Sequence, residues 1–388
     1  METVEIELRR EAVRRRLAGE SAGAIARDLG RTRQWVSKWA ARYDPDDAGW
    51  ARGRSRAPRR VANRTADDVE ARVLAVRERL EENPWAQVGA PAVAWELEKL
   101  GALVPPLRTI ERILQRAGAT ERRRPGRRVS KGIGYPAPIA ERPGDVVQID
   151  LVGPRHLDGG LRFHALNQID VVSHRAGIEI VDDRADDRVI GALGALWGRF
   201  GVPRRAQFDN GGPFVAPTGI GEVVRVLVHQ GVTPVFVPPR EPWRNGTIEH
   251  FNDTFDKRFF RQERFSGRAQ LADRAGAFER FHNAQHRYRA TQGRAPDEAA
   301  GTGVGRAPRP LAEIPAGWPA RGRVEFIRFI RSDHKLRLLG RAIAMPDGTA
   351  YQYLTATLDL ALADQHNLLV SNDQGELIAT ARLPHPGH

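Results

Sequence analysis

Cysteine is absent from this chain of 388 residues, which excludes a disulfide framework and a thiolate-held zinc ion. Stability has to come from packed cores, and any metal has to be held by oxygen or imidazole. Lysine is scarce: Lys38, Lys99, Lys131, Lys257 and Lys335 are five of 61 basic residues, the rest being arginine. Guanidinium forks suit phosphate and guanine edges, although genome base composition also produces such a bias. No apolar run approaches the roughly 18 residues that a membrane span needs, and Met1 to Arg16 has no signal-peptide core. A cytoplasmic protein with no membrane partner is expected. Acids are also in deficit, 48 against 61 bases, for a net charge of +13. With 41% hydrophobic and 28% charged residues the composition is globular, and at roughly 100 to 200 residues per domain the length predicts two to four domains.

Most of the charge lies early. Thirty bases and 20 acids fall between Met1 and Arg142, which places +10 of the +13 there. Within that third, 49–65 is an Arg-rich linker and 120–141 a second basic linker that includes Arg122, Arg123 and Arg124. Both contain Gly and Pro and lack apolar periodicity, so they read either as solvated spacers or as segments that track a nucleic-acid backbone.

The flanking segments read as two all-α helix-turn-helix domains, 1–48 and 66–119. In the first, Val4, Leu8, Val13 and Leu17 space a helix. Ser21 can cap a second through Leu29, and Thr32 a third through Tyr43. Val36, Trp39 and Ala40 then face the core, leaving Arg31, Arg33, Gln34, Ser37, Lys38 and Arg42 free to enter a major groove. A plain basic three-helix bundle is the alternative. The second domain repeats the pattern over Asp67–Leu80, Gly89–Leu100 and Leu107–Ala117, with Arg108, Thr109, Arg112, Gln115 and Arg116 as its exposed candidates. Two reading heads on one linker fit an extended, bipartite DNA site.

From Asp145 onward the periodicity changes from helix to strand. The order is three strands, helix, strand, helix, strand, helix. Acids fall at Asp150 within an apolar strand, at Asp209 just after a strand, and at Glu249 in the first turn of a helix. Taken singly, Asp209 reads as an Asp-Asn-Gly turn and Glu249 as an acid favoured by the helix dipole. An unpartnered carboxylate inside an apolar strand is expensive, which singles out Asp150.

The motifs Gln148-Ile149-Asp150, Phe208-Asp209-Asn210-Gly211 and Asn245-Gly246-Thr247-Ile248-Glu249-His250-Phe251-Asn252, in this order, resemble the ribonuclease-H-like core of DDE transposases and retroviral-type integrases. Phe281–Tyr288 and Ala295–Glu298 resemble the tail that follows this core in bacterial insertion-sequence transposases, and the core with its helical tail covers 142–300. The 39 residues between Asp209 and Glu249 exceed the spacing that gives many members their name, and the surplus is expected in Val215 to Gly221. The resemblance implies catalytic and metal-binding roles for Asp150, Asp209 and Glu249, with two Mg²⁺ ions for which Mn²⁺ can substitute.

The chemistry requires such residues whatever the family. In-line phosphodiester displacement develops charge on both the attacking and the leaving oxygen, and two hard cations held by carboxylate oxygens stabilise both. In the loop before the Glu249 helix, Arg244 and Asn245 are candidate DNA-end contacts. Lys257 could reach the scissile strand, and Trp243 either stacks on a base or packs. Asp170, Asp182, Asp183, Asp186 and Asp187 read as caps and turns, and His282 and His286 as structural.

Short β runs separated by Asp-His, Pro-Asp-Gly and Asn-Asp-Gln-Gly turns predict a small all-β C-terminal barrel over 319–388, either a DNA or subunit contact or a structural satellite. The fold class expected is therefore multidomain: two helix-turn-helix domains, an α/β RNase H-like core and a barrel. The function expected is a nucleoid-associated transposase or integrase. It would bind element terminal inverted repeats and target DNA, cleave 3′ ends and transfer strands as a homo-oligomer on DNA, with a partner ATPase compatible. The alternatives are an RNase-H-like metal nuclease that cuts without joining, and a DNA-binding regulator without catalysis.

Overall fold

The computed structural model describes residues 2–53, 65–120, 133–211, 214–216, 219–302, 305–362 and 366–383. Arg122, Arg123 and Arg124 and most of the 49–65 linker lie outside the described residues. The chain divides into two compact units, Met1–Arg64 and Thr65–His388.

The first unit is a three-helix cluster of α1 (Glu2–Leu17), α2 (Ala22–Asp28) and α3 (Arg33–Ala40). The expected caps form: Ser21 Oγ accepts from the Ala24 amide and Thr32 Oγ1 from the Trp35 amide, each at 3.2 Å. Gly30 takes a left-handed φ of +61° where the chain leaves α2, a conformation that favours glycine. Ala12, Ile25, Ala26 and Val36 form the core. Val4 and Leu17, expected to face inward, are exposed because the short α2 and α3 cover only the middle of α1. The third helix ends at Ala40, short of Tyr43, whose ring packs edge-on against Trp50.

The second unit begins with another helical cluster, α4 (Asp67–Glu81), α5 (Ala90–Lys99) and α6 (Leu107–Arg116), closed around Val73, Val93, Leu97, Ile110, Ile113 and Leu114. Next come β1 (Val146–His156), β2 (Arg162–Asp170) and β3 (Ala176–Val181), paired antiparallel in turn. After α7 (Asp186–Phe200), β4 (Arg205–Phe208) lies parallel to β1. The surplus residues expected after Asp209 include a small antiparallel pair, β5 (Val215–Ala216) with β6 (Gly219–Ile220). Then α8 (Glu222–His229) leads to β7 (Thr233–Phe236), parallel to β4. A 3-10 turn, Pro242–Asn245, opens α9 (Gly246–Phe255), which runs into a π-helical turn at Asp256–Phe260 and is followed by α10 (Arg268–Gln285) and α11 (Pro296–Ala300). This is the strand and helix order that the resemblance implies.

The two faces of the sheet are filled separately. On one, Val189, Leu196, Trp197, Val223 and Leu227 of α7 and α8 pack on Val147, Ile149 and Phe208. On the other, Ile248, Phe251, Phe255 and Phe278 of α9, its extension and α10 pack on Phe163, Ala165 and Ile169. Successive strand residues point to opposite faces, so with Val147 and Ile149 on the first, Gln148 and Asp150 are turned to the α9 face.

The expected barrel is corrected. Its strands exist: β8 (Arg323–Phe329), β9 (Lys335–Leu338), β10 (Arg341–Ala344), β11 (Tyr353–Asp359), β12 (Leu368–Ser371) and β13 (Leu377–Ala381). They do not close. β8 pairs parallel with β7, β11 to β13 continue beyond it, and only β9 and β10 form a separate hairpin. The result is one open sheet, β13-β12-β11-β8-β7-β4-β1-β2-β3. The physical reason is the edge of β7, whose free amides and carbonyls accept β8 as a partner, while Phe236 stacks on Phe326 at 5.1 Å. Both sides of that junction belong to one hydrophobic core.

Trp85, between α4 and α5, joins the helical cluster to the rest of its unit. Its ring packs edge-on against Phe259, Phe278 and Phe281, its Nε1 donates to Glu263 at 2.9 Å, and Arg274 lies over its face. Among the described residues no helix is long and apolar enough to cross a membrane.

Candidate active site

Two glutamines, each two residues before an acid, organise the site. Gln148 precedes Asp150 on β1, and its Oε1 accepts from the amides of Thr247 and Ile248 at 3.1 and 3.0 Å. Those are unsatisfied first-turn amides of α9, so a side chain of β1 caps the helix that carries Glu249. Gln207 precedes Asp209 on β4, and its Nε2 donates to the Arg244 carbonyl and to Asn245 Oδ1 at 3.0 and 2.7 Å. Residues i and i+2 of a strand share a face, so each strand grips the start of α9 with one side chain and presents its acid beside it.

Asp150 is half-buried. Its Oδ2 accepts from Asn252 Nδ2 at 2.6 Å, and Asn252 Oδ1 accepts from Asn167, which sits opposite Asp150 on β2, at 2.8 Å. Asn252 lies three residues after Glu249 on the same helical face. Burial, and then the negative charges of Asp209 and Glu249, push the Asp150 carboxyl up to about 6, while Asn252 opposes the shift. The three acids are thus electrical neighbours although 59 and 40 positions separate them along the chain.

Asp209 follows β4 in a turn where the Gly211 amide donates to its Oδ1 at 3.1 Å. Asn210 beside it donates to the Val237 carbonyl and accepts from Arg328 Nη2. Glu249 is exposed in the first turn of α9. Among the described residues no three His, Asp or Glu side chains are drawn tightly enough together to hold an ion as they stand. The donor set is right in kind for a hard divalent cation: three carboxylates, one of them destabilised by the charge of the other two.

The expected DNA contacts divide into free and engaged groups. Arg33, Gln34 and Ser37 are exposed on α3, as is Lys38, whose ammonium lies 5.7 Å from the Trp39 ring, and Arg108 and Arg112 are exposed on α6; Thr109 is half-buried. Arg31 is ion-paired to Glu5 at 2.6 Å, Arg42 lies over Trp39, and Arg116 bridges to Glu70 at 3.0 Å. Lys257 is exposed and paired with Asp253 at 2.7 Å.

Two loop residues differ from expectation. Asn245 is buried under Gln207, and Arg244 is clamped by Glu241 at 3.0 Å and by the rings of Tyr135 and Tyr353 at 3.8 and 4.8 Å. Both shape the loop rather than project from it; Trp243 beside them is exposed. His282 and His286 are buried, their Nε2 atoms against the carbonyls of His174 and Trp85, and burial pushes His286 down to about 4. Asp170 closes the β2–β3 turn by accepting from Val172, Ser173 and Gly144. Sequence reasoning did not anticipate Gln207, Asn167, Arg328 or Trp85. None of the four carries a local signal, because each meets its partner far along the chain.

Residues 3–50, the first helical unit, match the homeodomain-like domain family. Among solved structures, the chain is similar to the HTLV-2 integrase catalytic core domain determined in complex with magnesium in a dimeric form, at 12% identity and a TM-score of 0.33, covering 41% of this chain and 98% of that one. A chain of the simian T-cell lymphotropic virus intasome in complex with PP2A regulatory subunit B56 gamma is similar at 12% identity and a TM-score of 0.37, over 76% of this chain and 96% of that one. The BIV integrase catalytic core domain is similar at 16% identity and a TM-score of 0.32, over 40% of this chain and 92% of that one.

Proposed function

We propose that this protein is a DDE-type DNA transposase or integrase. It binds the ends of a mobile element, cleaves the 3′ ends and joins them to target DNA, acting as several copies on DNA. One observation carries the reading: Asp150, on a central strand, accepts a hydrogen bond at 2.6 Å from Asn252 of the helix that bears Glu249, and burial with the charges of Asp209, just after a neighbouring strand, and of Glu249 pushes its carboxyl up. The homeodomain-like unit and the exposed polar row on α3 support DNA binding at the other end of the chain.

Asp150, Asp209 and Glu249 would hold the divalent ions, Mg²⁺ or Mn²⁺. When bound, these supply charge stabilisation to the attacking and leaving oxygens of an in-line displacement. This chain's own residues set the stage. Gln148 and Gln207 hold the start of α9, the helix that carries Glu249, and Asn252 orients Asp150. Crowded carboxylates repel each other, and bound divalent ions would offset that charge.

The test is a gel with labelled element-end DNA, target DNA and Mg²⁺ or Mn²⁺. Joined products are expected, and Asp150→Asn should bind DNA but neither cut nor join. Cut products without joining would make the protein a nuclease. A mobility shift without chemistry would make it a regulator. Retained activity in Asp150→Asn would remove the site assignment.

A further inference from the structure

A cavity of about 640 Å³ opens between the loop after β7 and the β8–β9 connection, and none of the three acids lines it. Arg240, Arg328, Arg331, Lys335 and Arg337 line it, against Glu241 and Asp333. Both acids are already engaged: Glu241 holds Arg244 and the Tyr353 hydroxyl, and Asp333 holds Arg337 at 2.6 Å. Arg240 and Arg331 are exposed, and among the described residues their guanidinium groups have no ion-pair or hydrogen-bond partner.

Arg328, on β8, is the unusual member. It is only 8% exposed, and every acceptor its guanidinium meets is neutral: the Ile327 carbonyl at 2.9 Å, the Val237 carbonyl at 3.3 Å and Asn210 Oδ1 at 3.0 Å. A buried cation without a counter-charge is costly, and burial pushes this one down to about 10. The wall of a basic cavity is therefore built around a guanidinium to which, among the described residues, no carboxylate supplies the compensating charge.

We infer that this cavity binds a backbone phosphate of DNA, with Arg240, Arg331 and Lys335 at its rim and Arg328 in its wall. The inference rests on the reading of the chain as a DNA-processing enzyme and adds a course for the strand beyond the acids. Arg328 is a positioning residue. It holds Asn210, the neighbour of Asp209, so a phosphate drawing on the same guanidinium is tied to the turn that presents that acid. The continuous sheet makes this possible, because β8 lies directly against β7, and only β7 and β4 stand between it and β1.

The experiment uses the full chain and labelled duplex DNA, with affinity measured against salt concentration. Each phosphate contact contributes roughly 0.9 to the slope of log affinity on log salt. Reversing the three exposed rim charges (Arg240→Glu, Arg331→Glu, Lys335→Glu) should remove that one phosphate contact, lowering the slope by about 0.9 and weakening binding about tenfold. Arg328→Met should lower both the slope and the cleavage rate, with Arg328→Lys restoring the slope, a rescue that a purely structural role would not give. The chain has no cysteine, so Arg331→Cys carries its only thiol. An iron chelate attached there should cut the DNA within a few nucleotides of one position beside the scissile bond.

An unchanged slope in the triple variant, with wild-type protein still binding and cutting DNA, overturns this inference and leaves the proposed function standing. Wild-type protein that neither binds nor cuts DNA overturns both. Binding of inorganic pyrophosphate that the triple variant abolishes, with DNA affinity unchanged, assigns the cavity to a small phosphate ligand and also overturns it.

Discussion

Replacing Asp150 by Asn should make the protein more stable while abolishing its chemistry. The carboxyl is raised from 3.8 to about 6 by burial and by the neighbouring charges of Asp209 and Glu249. An acid whose folded pKa lies above its unfolded value opposes folding once ionised. The penalty is absent below the unfolded value, grows between about pH 4 and pH 6, and is complete above that. Two units correspond to about 3 kcal/mol. Asn252 keeps its acceptor, because asparagine at 150 presents a carbonyl where the carboxylate was.

At pH 7.5 without divalent cations, the variant should therefore gain about 2–3 kcal/mol in urea unfolding of the larger unit. At pH 4.5 the gain should shrink to about a third of that. Adding Mg²⁺ should stabilise the wild type and leave the variant unmoved. A variant no more stable than wild type at pH 7.5, or a gain that does not shrink toward acid, would show that the three charges do not act on one another as described.

His286 is held neutral by burial, about 4 against an ordinary 6.5, so stability should be full above pH 6.5 and fall by about 3 kcal/mol as pH drops to 4; His286→Gln should flatten that limb in pH-dependent urea titrations. Phe326→Ala should cost about 3–5 kcal/mol and lower the melting temperature of β1, β4 and β7 together with that of the C-terminal strands, whereas a separable barrel would show two transitions. Gln148→Met should leave DNA affinity within about twofold and reduce cleavage by at least about tenfold, since it uncaps α9 without touching an acid; equal losses of binding and rate would argue for a folding defect instead.

What could be read from the chain depended on the range of the interaction. Ser21 and Thr32 cap the residues three positions on, so both helix starts were legible. The alternation of Gln148, Ile149 and Asp150 identified β1, because one strand's periodicity states which residues share a face. The same periodicity says nothing about partners. The C-terminal strands were found and their closure into a barrel was not, because the edge that receives β8 lies on β7, some 90 residues earlier. Arg244 and Asn245 show the same limit: polar residues in a proline-bounded loop suggested outward-facing contacts, yet their partners, Tyr135, Tyr353 and Gln207, are remote in sequence. Trp85 failed for a related reason, since a tryptophan between short helices gives no sign of the phenylalanines that receive it.

That tryptophan has a consequence for how such a machine would measure distance. Because the indole pegs the α4–α6 cluster onto the helices behind Glu249, a duplex read by Arg108 and Arg112 would meet the acids at one set angle and offset. The number of base pairs between the recognised bases and the broken bond would then be a property of the protein's geometry, like the gap of a fixed gauge, and a single inserted base pair would be felt at the cut.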